Sequence, residues 1–283
     1  MAYINFLTSL HTSTERDYIQ RVVEYDKAEC AKKAKEWGFD YWDGDRRYGF
    51  GGYHYDGRWR KVAEELAAHY EFKSGDRILD IGCGDGTYDY RINRRGAQVV
   101  GFDIARYKLR TAVKHHARGG TIYLDANAEK MPIRSRSCDA VVSFCVFEHL
   151  ENDSAVFTEA HRILRDGGRL LLTLDSMSNP EVSSAHRDRL KVEHGVSQFY
   201  TVPEISAKMT AGGFRLTRSR YLMGSPLDFK LIRLSYATET MNKVSAALVR
   251  TFLVSAGRLA SMIAGRGKTP NTGWTLMVEG IRS

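Results

Sequence analysis

The run "LDIGCGDGT", Leu79 to Thr87, sets Gly82, Gly84 and Gly86 two apart behind Asp80. Residues without a Cβ let the chain turn sharply and bring backbone N–H groups against a ligand. About twenty residues further on, "QVVGFD" ends in Asp103, where a carboxylate can accept hydrogen bonds from ribose hydroxyls. A glycine loop followed at that interval by an acid is the chemistry of an adenosine-containing cofactor. The spacing G-x-G-x-G differs from the G-x-G-x-x-G of nicotinamide-binding loops.

Two loop histidines are candidate general bases, His54 in "YHYDG" and His194 in "VEHGVSQFY". Their ordinary pKa suits proton transfer near neutrality. Glu148-His149 reads as a structural pair, at a helix start or beneath the cofactor site. The four cysteines, Cys30, Cys83, Cys138 and Cys145, form no CxxC pair, so neither a zinc knuckle nor a redox motif is expected and no metal site is assigned. Cys83 and Cys145 read as small packing residues. Asp139 reads as a strand-orienting residue.

These groups need elements to position them. "RILDIG", "QVVGFD", "TIYLDA", "CDAVVSF" and "GRLLLTLD" are short apolar runs between Arg77 and Asp175. Helical stretches at about 87–95, 105–118 and 153–165 separate them. Continuous apolar strands alternating with helices predict a parallel sheet covered on both faces, a doubly wound α/β fold. Residues 177–200 read as a polar connection. A helix then follows in "TVPEISAKMTAGG", a strand in "FRLTRSRYLM" and a last strand in "TGWTLMVEGIR". Before the sheet, helices are expected over Ser13 to Trp37, ended by Gly38, and over Gly57 to Tyr70.

Four ordered motifs resemble those of the class I S-adenosylmethionine-dependent methyltransferases. They are D-x-G-x-G-x-G at Asp80, "NAEKMPI" at Asn127, "CDAVVSFCVFEHLEN" at Cys138 and "EAHRILRDGGRLLLTLD" at Glu159. The subgroup most resembled acts on small molecules such as quinones and lipids. The resemblance implies a mostly parallel seven-stranded, Rossmann-like sheet and S-adenosylmethionine as cofactor. Gly82, Cys83, Gly84 and Gly86 would pass under its methionine and ribose, and Asp80 would orient that loop or approach the amino group. Asp103 would hold the ribose diol, Ile104 would pack on adenine, and Ala128 would offer backbone contact. Asn127 stands where the family usually has Asp, with Asp125 as a substitute for the missing charge. Cys145 would lie beside the methionine through its backbone.

The resemblance also bears on "YGFGGYHYDGRWR", Tyr48 to Arg60, with four glycines among five aromatics. It precedes the sheet, where the family places a lid. Tyr53 would close over the cofactor and Arg58 would meet a carboxylate or an anionic acceptor; an aromatic plug is the competing reading. The expected organisation is a lid region over residues 1–72, a cofactor-binding core over 73–223 and 272–283, and a helical insertion over 224–271.

Charge and composition set the partners. The net charge is +8, with 43% hydrophobic residues, which supports a full core and a basic surface. The expected reaction is in-line methyl transfer to a small-molecule or lipid-linked acceptor. Alternatives are an RNA methyltransferase and a non-catalytic cofactor-binding scaffold. Nucleic acid is disfavoured, because "SFCVFEHL" lacks the Asx/Ser-Pro-Pro-aromatic motif that suits a base amino group. The insertion carries apolar residues on one stripe and Lys243, Arg250, Arg258 and Arg266 on another. That amphipathic pattern, over residues 241–266, suits packing on the domain, a homodimer contact or an anionic membrane. No signal peptide or membrane-spanning segment is read, and a cytoplasmic location, with peripheral membrane contact as an option, is expected.

Overall fold

The computed structural model describes residues 32, 33, 35–42, 44, 45, 48, 59–117, 119–222, 224 and 271–283. The expected lid residues Tyr53, His54 and Arg58, most of the first helix, and the basic helix of the insertion lie outside the described residues. In chain order the elements are α1 (Phe39–Trp42), α2 (Trp59–His69), β1 (Arg77–Ile81), α3 (Thr87–Asn93), β2 (Gln98–Asp103), α4 (Arg106–His116), β3 (Thr121–Asp125) and β4 (Cys138–Phe144). A 3-10 turn (Phe147–His149) leads to α5 (Asp153–Ile163), β5 (Leu164–Asp175), α6 (Ser184–His194), α7 (Val202–Ala211), β6 (Phe214–Leu222) and β7 (Thr275–Arg282).

The seven strands form one sheet in the order β3-β2-β1-β4-β5-β7-β6. The first five are parallel, and β7 runs antiparallel between β5 and β6. Alternation along the central strands explains why they read as unbroken apolar runs. Leu79, Ile81, Val141, Leu170 and Leu172 point to one face, where Phe157 and Ile163 of α5 and Ile205 and Met209 of α7 cover them. Ile78, Ala140, Val142 and Leu171 point to the other, beneath Leu66 and Ala67 of α2 and Ile92 of α3. Each fully buried side chain of this size contributes roughly 1.5–3 kcal/mol. In α2 the buried positions Ala63, Leu66 and Ala67, with Tyr70 just beyond, fall on the i, i+3, i+4, i+7 spacing of one helical face.

The sequence expectation missed α6, which occupies part of the segment read as a polar connection. Its boundaries are marked by Ser183, whose side chain accepts from the His186 N–H, and by Gly195 at φ 63°. Its residues lack the strong apolar stripe that announces a buried helix. Beside Gly38, where the first predicted helix is expected to end, Trp37 takes the left-handed conformation, at φ 50°.

The topology fixes where function can sit. Chain direction across the sheet reverses between β1 and β4, and the crevice beyond the carboxyl ends of such strands is the natural ligand position. The loops leaving β1, β2, β4 and β5 all open there.

Candidate cofactor and acceptor site

A cleft of about 820 Å³ occupies that crevice. Its wall includes Asp80, Gly82, Cys83, Gly84, Asp103, Ile104, Asn127, Ala128, Cys145 and His194, so ten residues singled out from the sequence converge on it. Gly86 stands outside the lining residues.

The three glycines have different physical reasons. All have positive φ, at 76°, 54° and 74° for Gly82, Gly84 and Gly86. A Cβ on Gly82 would meet Val146 Cγ2 at 2.3 Å, and one on Gly86 would meet the Tyr123 hydroxyl at 2.2 Å. These two are glycine because the loop is packed from below. A Cβ on Gly84 meets nothing within 4 Å, so this residue presents bare backbone to the open cleft. Behind it, Asp85 Oδ1 accepts from the Thr87 hydroxyl at 2.7 Å and from the Thr87 N–H at 3.2 Å. Lys108 of α4 lies 3.9 Å from Asp85 Oδ2, both side chains buried, and 4.6 Å above the Trp42 ring. The last two glycines are thus held between α3 and α4.

Asp103 ends β2 and works on the same loop. Its Oδ2 accepts from the Gly84 N–H at 2.9 Å and its Oδ1 from the Ala105 N–H at 2.7 Å. Each oxygen keeps a second lone pair for a ligand hydroxyl. Burial raises its pKa, against the lowering by those backbone donors. Ile104 beside it is 58% exposed, an apolar surface at the cleft that a flat base would cover. Asn127 Oδ1 accepts from the Glu129 N–H at 2.8 Å. Asp125 is committed elsewhere, to the Arg106 guanidinium, and is not among the cleft residues. Asp139 holds the start of β1 through the Arg77 N–H at 2.6 Å and pairs with Arg165 at 2.6 Å.

Asp80 is 1% exposed, and its Oδ1 has no well-aligned hydrogen-bond partner. Burial, then the charge of Asp89 in α3, pushes its carboxyl well above the usual range. Burial pushes Asp89 up to about 7. The Asp80 carboxyl in the cleft wall, a bare backbone at Gly84, spare lone pairs on Asp103 and an uncovered Ile104 fit a ligand carrying an amino group, a ribose and a base. S-adenosylmethionine is such a ligand.

The β4–β5 side of the cleft is acidic. Cys145, just after β4, takes φ 54°, which is uncommon for a residue with a side chain, and turns the chain into the 3-10 segment. Glu148 in that segment is fully buried, and neither carboxylate oxygen has a well-aligned hydrogen-bond partner. Asp175 ends β5 in the same wall. The His149 ring is directed at the Gly195 carbonyl, 3.2 Å from Nδ1, and packs edge-on against Trp37 at 4.8 Å. Burial lowers its pKa. The segment is held from behind by Tyr200, whose hydroxyl donates to the Phe147 carbonyl at 3.0 Å or to Asp153 at 2.8 Å. His194 ends α6 and lines the same cleft, one residue before Gly195.

Several lining residues were not singled out from the sequence. Lys35, Trp37, Tyr41 and Trp42 bring the N-terminal segment over the cleft. Trp37 packs edge-on against Tyr41 at 4.6 Å, and Tyr41 against Trp42 at 4.9 Å. The signal in the sequence is the aromatic spacing of "WGFDYW", just before the glycine-rich stretch.

Strand order, the glycine loop after β1 and the acid after β2 define a class I S-adenosylmethionine-dependent methyltransferase fold, and this chain carries that domain. Residues 79–172 match the family model described as a methyltransferase domain. The chain is 28% identical over 162 residues to a malonyl-[acyl-carrier protein] O-methyltransferase of Hahella chejuensis, an alignment covering 56% of this chain and 58% of that protein. It is 28% identical over 196 residues to a ubiquinone biosynthesis O-methyltransferase of Cereibacter sphaeroides, covering 66% and 78%. In fold it is similar to a Haemonchus contortus phosphoethanolamine N-methyltransferase 2 in complex with S-adenosyl-L-methionine. That match has a TM-score of 0.56 and 20% identity, and covers 95% of this chain and 60% of the other. It is also similar to an S-adenosylmethionine-dependent methyltransferase of Mesorhizobium loti, with a TM-score of 0.56, 18% identity and coverage of 78% and 98%. No described helix is long and apolar enough to cross a membrane.

Proposed function

We propose that this protein transfers a methyl group from S-adenosylmethionine to a hydroxyl of a small-molecule or lipid-linked acceptor. The observation that carries the reading is the single cleft joining the Gly84–Asp103 loop to the acidic wall at Glu148 and Asp175. The names of the two O-methyltransferase relatives support a hydroxyl or carboxyl oxygen as the methyl acceptor.

When bound, the cofactor supplies an electrophilic methyl on a sulfonium sulfur. The chain's own work is placement. Gly82 and Gly84 offer backbone to the methionine and ribose, Asp80 accepts from the amino group, and Asp103 holds the ribose diol. Ile104, Asn127 and Ala128 border the base. Trp37, Tyr41 and Trp42 exclude water from above. Holding two reactants in near-attack geometry in a dry site supplies much of such a rate. His194 is a candidate to position the acceptor. Membrane contact through residues 241–266 and self-association remain proposals on residues outside those described. Vesicle flotation and sedimentation test them.

The reading is tested by isotope-labelled methyl transfer into a cell extract fractionated into lipids, acyl carriers and nucleic acids. Label in the lipid or acyl-carrier fraction supports it; label confined to nucleic acid overturns it.

A further inference from the structure

The donor atoms of Cys145, Glu148 and Asp175 all lie within 4.8 Å of one another on the β4–β5 side of the cleft. Two carboxyls that close, one of them fully buried, do not both ionise readily, because each charge opposes the other and the buried one lies away from solvent. Glu148 is fully buried with no well-aligned hydrogen-bond partner. Asp175 is part-exposed to the cleft.

We propose that Asp175 is the base that takes the acceptor's hydroxyl proton, with Glu148 behind it as the second carboxyl of a pair that carries one negative charge. This assignment rests on the hydroxyl-methylation reading. As the acceptor oxygen bonds to the methyl carbon and the carbon–sulfur bond breaks, the O–H proton passes to the Asp175 carboxylate and later leaves to solvent. Asp175 is the catalytic member because it reaches the cleft. Glu148 is the positioning member.

The surroundings suit this role. An ordinary carboxylate is a weak base for a hydroxyl, and a pKa moved toward neutrality narrows that gap. Burial moves Asp175 up to about 7. Burial, then the charge of Asp175, moves Glu148 well above its usual range, so Glu148 is the neutral partner. The other titratable groups around the pair are Cys145 after β4 and Tyr200 before α7. Burial, then Glu148, raises the Cys145 thiol; burial, then Asp153, raises Tyr200. Both are neutral near pH 7. His194 of α6 and Lys35 line the same cleft, while the His149 ring is directed at Gly195.

The test uses the full chain with 13C-labelled Asp and Glu side-chain carboxyls, titrated by NMR, a readout independent of turnover. The expected result is an Asp175 transition near pH 7. It disappears in Asp175→Asn and becomes a simple one-proton step in Glu148→Gln, where the coupling is gone. Catechol serves as the hydroxyl probe for transfer. Asp175→Asn lowers its kcat about a hundred- to ten-thousand-fold and abolishes the acidic limb of the pH profile, and calorimetry with S-adenosylmethionine confirms that the variant is folded. An Asp175 transition near pH 4 overturns the assignment, whether or not catechol proves a substrate. So does wild-type kcat in Asp175→Asn, or activity lost on chelation and restored by a divalent cation. Absence of cofactor binding by the wild-type chain instead overturns the methyltransferase reading beneath it.

Discussion

The Gly84 N–H donates to the Asp103 carboxylate at 2.9 Å, across the gap between the β1 and β2 loops. Asp103 therefore sets the shape of the glycine loop before any ligand arrives, and its spare lone pairs face the same cleft. Asp103→Ala removes both functions. A lost charge-assisted hydrogen bond costs about 1.5–3 kcal/mol, which corresponds to roughly a ten- to hundredfold loss of S-adenosylmethionine affinity. Calorimetry measures it directly.

The glycines separate packing from binding. Gly84→Ala keeps its neighbours clear but puts a side chain at φ 54°, a strain of about 1–2 kcal/mol, and pushes a methyl into the cleft. Cofactor affinity is expected to fall more than tenfold, beyond the effect on stability. Gly82→Ala drives a methyl into Val146 and costs stability first, about 1–3 kcal/mol as overpacking. Thermal melts beside calorimetry distinguish the two patterns.

Asp89 makes stability depend on pH. Burial raises its folded pKa to about 7, above the unfolded value of about 3.9. Its proton is held more tightly in the folded state, so its contribution is complete below about pH 4 and is lost as pH rises toward 7. Asp89→Asn cannot ionise. The variant is expected to gain in melting temperature relative to wild type between pH 5 and pH 8. Parallel melting curves at the two pH values would refute this.

Two of the four tryptophans, Trp37 and Trp42, line the cleft. Cofactor binding is expected to change intrinsic fluorescence, and Trp37→Phe with Trp42→Phe to remove most of that change. A signal unaltered in the double variant would place the N-terminal segment away from the ligand.

Lys208 of α7 grips Asp153 at 2.7 and 2.8 Å, and Asp153 is 3% exposed. Lys208→Met leaves that carboxylate to Tyr200 and Gln198. Breaking a buried pair costs about 3–5 kcal/mol; because Lys208 is partly exposed, about 2 kcal/mol is expected in a denaturant titration.

The sheet was legible because its strands are buried on both faces. An unbroken run such as "AVVSF" admits few other readings once glycines and helices bound it. The same density made Gly82, Gly84 and Asp103 legible, since strand, loop and acid are local in sequence. Helix α6 was not legible: its apolar content is low and only Ser183 and Gly195 mark its ends. Nor was the partnership of Glu148 with Asp175. The two lie 27 positions apart, one in the 3-10 turn after β4 and one at the end of β5, and the pairing of β4 with β5 brings them together. Glu148 reads as structural from the sequence; its burial depends on residues 195–200, where the Ser197 and Gln198 N–H groups donate to its carbonyl. The charge expected from Asp125 went to Arg106 because β3 is an edge strand and its last residue faces α4.

Methyl transfer by this chain requires that the cleft between β1 and β4 be a cofactor site. Titration calorimetry of the full chain with S-adenosylmethionine tests that most directly. The predicted result is one site per chain in the micromolar range or tighter, weakened at least tenfold in Asp103→Ala. No heat of binding for the folded native chain, or equal affinity in Asp103→Ala, would contradict it.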